Sequence, residues 1–188
     1  DAAHELRTPL TAIRTHLQIA RRVDGDPRRE AMQQAEAGVG RLTKTLDQLL
    51  LLARMESEEI TRGSVDPTRL GEALEAAMVE TGSRDRCHWH ASIDQIHVGL
   101  SGELLVIALR NLLENAMRHG SPETPIEIEA HETNGMAVID IVNQGETIPP
   151  EQIARLTERF HRGNHPQGSG LGLSIVEAIA TRAGGSLR

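Results

Sequence analysis

Three stretches of this sequence place chemically capable side chains at spacings that a reaction could use. The first, HELRTPLTAI, sets His4 beside Glu5, with Thr8 one helical turn later. Neutral imidazole is a competent nucleophile near pH 7, and an adjoining carboxylate can fix its tautomer and take up its proton. A core histidine, a metal ligand, a capping residue and an ordinary surface histidine near a fraying end all stay open for the same position. The second stretch, NLLENAMRHG, stacks Asn111 and Asn115 on one helix face, with Arg118 and His119 a turn beyond. Repeated amides can be a solvated face. They can also hold a hydrated Mg2+ through carboxamide oxygens, and the cationic groups would then meet phosphate. The third, GSGLGLSIVEAIA, puts Gly168, Gly170 and Gly172 ahead of a helix, where backbone N–H groups can close on phosphate oxygens. It does not follow a strand in a βαβ unit, which weakens a dinucleotide-binding reading.

Such groups need rigid elements to bring them together. Leu6, Leu10, Ile13, Leu17 and Ala20 recur at alternating spacings of four and three. After the break at VDGDP the same rhythm runs through Met32, Ala35, Val39, Leu42, Leu46, Leu49 and Ala53. This predicts an antiparallel helical hairpin, with Pro9 kinking the first helix and Asp26 and Pro27 as N-cap and first residue of the second. One hairpin leaves an apolar side bare, and pairing two copies into a four-helix bundle covers it, so a homodimer is expected. His4 falls outside the seam, so a buried structural role fits it poorly.

The heptads stop around SEEITRGSVDP, where a turn-prone linker is expected to act as a hinge. Beyond it the texture changes. TRLGEALEAAMVETG reads as a helix, CHWHASI and IHVGL as strands, and SGELLVIALRNLLENAMRHG as a long helix stopped by Gly120. PIEIEAHE and MAVIDIVN form a hairpin around TNG, and PEQIARLTERF and LGLSIVEAIATRAGG are helices. The predicted class is α+β, a helical hairpin over residues 1–60 followed by an α/β sandwich over 64–188 with helices on one face of a mixed sheet.

Composition narrows the function. A net charge of -7 over 188 residues argues against a nucleic-acid binder, which would show a basic face. The single cysteine, Cys87, excludes an internal disulfide and suits a reducing compartment. No run approaches the roughly 18 apolar residues of a membrane span, so no membrane contact by this stretch is expected.

Taken in order, HELRTPLTAI, NLLENAMRHG, NQGETIPPE, RLTERFHRG and GSGLGLSIVEAIA resemble the H, N, G1, F and G2 boxes of sensor histidine kinases. The resemblance covers nearly the whole chain. It implies a dimerisation and histidine phosphotransfer hairpin followed by a Bergerat-type ATP-binding domain. ATP would phosphorylate the chain on a histidine, and the phosphoryl group would pass to an aspartate on a response-regulator receiver domain. His4 would be the phosphoacceptor, Glu5 its acid/base partner, and Thr8 would orient water for dephosphorylating the regulator. Asn115 would hold Mg2+ with Asn111 assisting, and Arg118 and His119 would contact phosphate and nucleotide. Asn143 and Gly145 match the adenine-recognising run. Gly168, Gly170, Leu171 and Gly172 match the hinge and phosphate-facing turn of the ATP lid, with Phe160 packed beneath and Arg159 and Arg162 close by. The fragment would be the cytoplasmic portion of a bacterial inner-membrane sensor, cut at both ends.

Two departures bear on affinity. Asn143 stands where the family usually has an adenine-recognising aspartate, although its carbonyl still offers an acceptor to the base. Thr147 replaces a glycine and could narrow the approach. The competing readings are a degenerate dimeric nucleotide sensor and a different Bergerat ATPase. The latter needs a catalytic glutamate one turn before the asparagine, whereas Glu114 directly adjoins Asn115.

Overall fold

The computed structural model of the chain describes residues 2–56, 66–161 and 168–188, the side chains of 2–5 and 91 excepted. The hinge expected around 57–65, Arg162 and the lid run 162–167 lie outside the described residues.

Helices α1 (Ala2–Ala20) and α2 (Asp26–Glu56) form the hairpin. α1 runs on through Pro9 without ending. The chain reverses at Gly25, whose φ of 71° lies in the left-handed region that glycine enters without a Cβ clash. Its carbonyl accepts from the Arg29 N–H at 3.2 Å. Asp26, expected as the N-cap, is therefore the first helical residue instead. There its carboxylate favours the positive helix end and accepts from the Arg29 guanidinium at 3.0 Å.

The heptad positions divide between two environments. Ile13 and Ala20 of α1 and Ala35 of α2 are buried, together with Ala31 and Gly38, which lie outside the predicted seam. Leu10, Leu17, Met32, Val39 and Leu46 stay exposed, Leu10 by 57% and Val39 by 51%. The uncovered residues follow one another at heptad spacing on each helix.

The second half contains β1 (Thr68–Arg69), α3 (Leu70–Thr81), β2 (Cys87–Trp89), β3 (His97–Val98) and α4 (Gly102–His119), in that order. Then come β4 (Ile126–Thr133), β5 (Met136–Val142), α5 (Pro150–Ile153) and α6 (Gly172–Arg182). β2 runs parallel to β4 and β4 antiparallel to β5, giving a mixed three-stranded sheet. β1 and β3 form a separate antiparallel pair. Along β4, Ile126 and Ile128 are buried while Glu127 and Glu129 are exposed, the alternation of a strand with one covered face. Leu74 and Met78 of α3, Leu109 and Leu113 of α4, and Ile175 and Ile179 of α6 cover that face. The β4–β5 turn is a two-residue Asn134-Gly135 loop with both φ angles positive, as the expected hairpin requires.

Two expected elements differ. In PEQIARLTERF the α-helix stops at Ile153. Arg155, Leu156 and Glu158 then donate to carbonyls three residues back, and Phe160 takes a φ of 65°, so the segment closes as tight turns. In CHWHASI the strand ends at Trp89, because the His90 ring accepts the Ser92 N–H and starts a short 3-10 turn, Ala91–Gln95. Cys87 is buried, and that burial pushes its thiol above the ordinary value. Leu52 of α2, absent from the predicted seam, is 2% exposed and belongs to the core of the second half.

Candidate active site

Between the hairpin and the α4 face lies a cleft of about 780 Å³, within the range that small-molecule sites occupy. α1 contributes Thr8, Pro9 and Ala12, and α2 contributes Arg41, Lys44, Thr45 and Gln48. Across from them stand Asn111, Glu114, Asn115, Arg118 and His119 of α4. Gly168, Ser169, Gly170 and Gly172 close one wall, with Leu156 and His161 beside them. All three motif regions singled out in the sequence therefore meet at one place.

α4 can carry this face because its two sides are unlike. Leu105, Leu109 and Leu113 are buried on the core side. Ser101 caps its start by accepting the Leu104 N–H at 3.4 Å. Asn111 is only 5% exposed. Its NH2 donates to the Ile107 carbonyl at 2.8 Å, and its oxygen accepts from Gln48 Nε2 at 3.5 Å. Asn115 is half-buried at the cleft wall. Both amides line the cleft, but that of Asn111 is engaged by Gln48 and the Ile107 carbonyl.

The glycine turn is built by close approach. Gly168 and Gly170 have φ angles of 123° and 68°. A Cβ on Gly168 would lie 2.8 Å from the Arg118 guanidinium, and one on Gly172 3.1 Å from Asn111 Oδ1. At Gly170 a Cβ would fall 2.6 Å from the Phe160 carbonyl carbon, and the Phe160 N–H donates to the Gly170 carbonyl at 2.8 Å. Phe160 is thus fastened to the turn and packed against the core. Leu171 has 0% exposure and anchors the entry to α6, so it shapes the turn from below without facing the cleft.

Asn143 and Gly145 lie at the far end of α4. Gly120 and Gly145 form a bridge, and a Cβ on Gly145 would sit 2.3 Å from the His119 carbonyl oxygen. A Cβ on Gly120 would meet the Asn143 side chain at 3.2 Å. These residues border the site beside His119 and do not line the cleft itself. His4 and Glu5 lie in α1 one turn before Thr8, and their side chains, like Arg162, are outside the described residues.

Lys44, Gln48, Glu56 and Ser169 join the site although no motif singled them out. Glu114 accepts from Lys44 Nζ at 2.6 and 2.7 Å. Gln48 bridges Asn111 and Ser169, whose hydroxyl donates to Gln48 Oε1 at 2.8 Å. The Arg159 guanidinium pairs with Glu56. Lys44, Gln48 and Glu56 recur at multiples of four on α2, a signal present in the sequence but eclipsed by the heptads. His161 Nε2 is buried without a hydrogen-bond partner among the described residues.

Comparison with known proteins agrees with this geometry. Residues 1–58 match the His Kinase A (phospho-acceptor) domain model. Residues 101–188 match the model of histidine kinase-, DNA gyrase B- and HSP90-like ATPases. The chain is 34% identical over 189 residues to the sensor protein QseC of Escherichia coli, covering 96% of this chain and 41% of QseC. It is 32% identical over 197 residues to the probable sensor histidine kinase TcrY of Mycobacterium tuberculosis, covering all of this chain and 41% of TcrY. The chain thus spans about two fifths of the length of these relatives. Among solved structures, the Acinetobacter baumannii histidine kinase AdeS shares the fold, with a TM-score of 0.70 at 20% identity, over 95% of this chain and 86% of that one. The mycobacterial sensor histidine kinase MprB matches with a TM-score of 0.55 at 28% identity, over 65% of this chain and 83% of that one. With a phosphoacceptor-type hairpin and an ATPase-type domain meeting at one cleft, the chain belongs to the two-component sensor histidine kinases.

Proposed function

We propose that this chain transfers the γ-phosphoryl group of ATP to the His4 imidazole and then to an aspartate on a response-regulator receiver domain. One observation carries this reading: the cleft is bounded on one side by Thr8 and Ala12 and on the other by Asn115, Arg118 and the glycine turn. Thr8 and Ala12 follow His4 at intervals of four, so the stripe that holds the acceptor also lines the cavity. Phosphoryl transfer depends mainly on positioning and on neutralising phosphate charge, and such a cleft supplies the first.

In the transfer, the bond from the γ-phosphorus to the β–γ bridging oxygen breaks and a phosphorus–nitrogen bond to His4 forms. ADP leaves, and Glu5 takes the imidazole proton. Arg118 and the N–H groups of the glycine turn hold the phosphates, and Asn143, beside Gly145, offers its carbonyl to the adenine amino group. The donor set suits Mg2+, with carboxamide oxygens at Asn115 and, through water, at Asn111. When bound there the ion would offset phosphate charge. The same stripe around Thr8 would receive the regulator and could orient water for the reverse, phosphatase reaction. MprB of Mycolicibacterium smegmatis, 32% identical over 202 residues, is described as a kinase/phosphatase.

Two further parts of the reading concern assembly and location. The heptad-spaced exposed residues Leu10, Leu17, Met32, Val39 and Leu46 support a homodimer joined through a four-helix bundle. No helix among the described residues is long and apolar enough to cross a membrane. We assign the chain to the cytoplasmic side of a membrane sensor, because its ATP and its regulator are cytoplasmic.

The test is incubation with Mg2+ and γ-labelled ATP, comparing the chain with His4→Gln. Acid-labile, alkali-stable label lost in the variant is the expected result. Nucleotide binding without label would reject the kinase reading in favour of a nucleotide sensor.

A further inference from the structure

α2 carries a second stripe, separate from the heptad seam. Lys44, Gln48, Leu52 and Glu56 repeat at intervals of four and so share one helix face. Each meets the nucleotide-binding half of the same chain. Lys44 pairs with Glu114, Gln48 with Asn111 and Ser169, and Glu56 with Arg159, while Leu52 enters that half's core. Twelve residues of helix span about 18 Å, so the contacts fix an orientation and do not act as a single pivot. Gln48 is 7% exposed, and its amide is the only part of the hairpin that binds the glycine turn among the described hydrogen bonds. Ser169 Oγ in turn accepts the Leu171 N–H at 3.2 Å, which fixes the start of α6.

The stripe has a consequence for who phosphorylates whom. With the nucleotide-binding half seated on α2, its cleft opens onto Thr8, Pro9 and Ala12 of the α1 in that same hairpin. For the cleft to serve a different α1, it would have to give up its place against Thr8, Pro9 and Ala12. We propose that Lys44, Gln48 and Glu56 dock each nucleotide-binding half on its own hairpin, so that the phosphoryl group passes to His4 of the same chain. This rests on the kinase reading above and adds the route of transfer and the positioning residues that set it.

The experiment uses mixed dimers assembled from two differently tagged chains. One pair joins His4→Gln with Asn115→Asp. The other joins the wild-type chain with a chain carrying both substitutions. Transfer within a chain leaves the first pair unlabelled by γ-labelled ATP and labels the wild-type chain of the second. Label on the Asn115→Asp chain of the first pair, with none in the second, overturns the proposal while leaving the kinase reading intact. Absence of label on wild-type dimers rejects both together. The stripe itself is tested by Glu56→Arg, Arg159→Glu and their combination. An exposed ion pair of this kind predicts a fall of roughly two- to five-fold in labelling rate for each single change, at unchanged ATP KM, with recovery in the double variant. Loss that the exchange fails to restore, or a change confined to KM, would overturn the docking role.

Discussion

At the scale of single residues, the site depends on positions where a methyl group has no room. Gly170 combines a φ of 68° with a Cβ position 2.6 Å from the Phe160 backbone. Backbone cannot yield as a side-chain tip can, so Gly170→Ala should distort the turn as well as strain it. The left-handed strain alone is about 1–2 kcal/mol. Nucleotide affinity should fall at least tenfold in a titration with a fluorescent ATP analogue. Gly25→Ala is the matching control. Its φ is 71° but nothing lies within 4 Å, so it should lower stability by the same strain of about 1–2 kcal/mol and leave affinity unchanged. Equal loss of affinity in both variants would show that strain, and not crowding at the turn, is what matters. The glycines alone could have been an ordinary loop, and they were legible as a site because they follow the other four motifs in order. Gln48 was not. A buried amide looks like any solvated glutamine until the surface that buries it arrives from a distant part of the chain.

At the scale of elements, α2 shows how much one pattern can conceal. Its heptads were readable because apolar residues recur in a fixed rhythm, and the hairpin follows from that rhythm. The four-residue stripe from Lys44 to Glu56 is present in the spacing, but only Leu52 on it is apolar, so the heptads mask it. The tight turns after Ile153 were also missed, because ARLTERF has helical composition while Phe160, at a φ of 65°, bonds to Gly170 across the chain. The Asn134-Gly135 hairpin, by contrast, is set by local backbone preference and was legible in full. Two glycines on α2 permit a direct test of packing against propensity. A Cβ on Gly38 would meet Ile13 Cγ1 at 2.6 Å, whereas Gly40 has nothing within 4 Å. Gly40→Ala should therefore stabilise the helix by up to about 1 kcal/mol. Gly38→Leu gains similar propensity but forces the helices apart, at about 1–3 kcal/mol of overpacking, and should be a net loss. Urea unfolding monitored by helical circular dichroism measures both. A stabilised Gly38→Leu would mean that α1 and α2 approach less closely than this packing requires.

At the scale of the whole molecule, the two faces of the hairpin serve different purposes. One face is spent inside the chain, on Ile13 and Ala35 and on the stripe that seats the nucleotide-binding half. The other, from Leu10 through Val39 to Leu46, remains about half exposed, and each of its side chains would contribute about 0.7–1.5 kcal/mol, half the value for complete burial, once covered. In a two-fold dimer every such residue counts twice, which can exceed the roughly 4–15 kcal/mol cost of association. A charge on this seam is likewise introduced twice, close to its own symmetry mate. Leu17→Glu combined with Val39→Glu should therefore convert the proposed dimer to a monomer in sedimentation equilibrium, without touching any residue of the cleft. A species that stays dimeric would show that the copies join elsewhere. Because the proposed transfer stays within one chain, the monomer should still bind ATP and label His4 at a rate independent of protein concentration. A rate that rises with concentration would instead mean that one chain serves another, and the uncovered seam would then be needed for the chemistry itself.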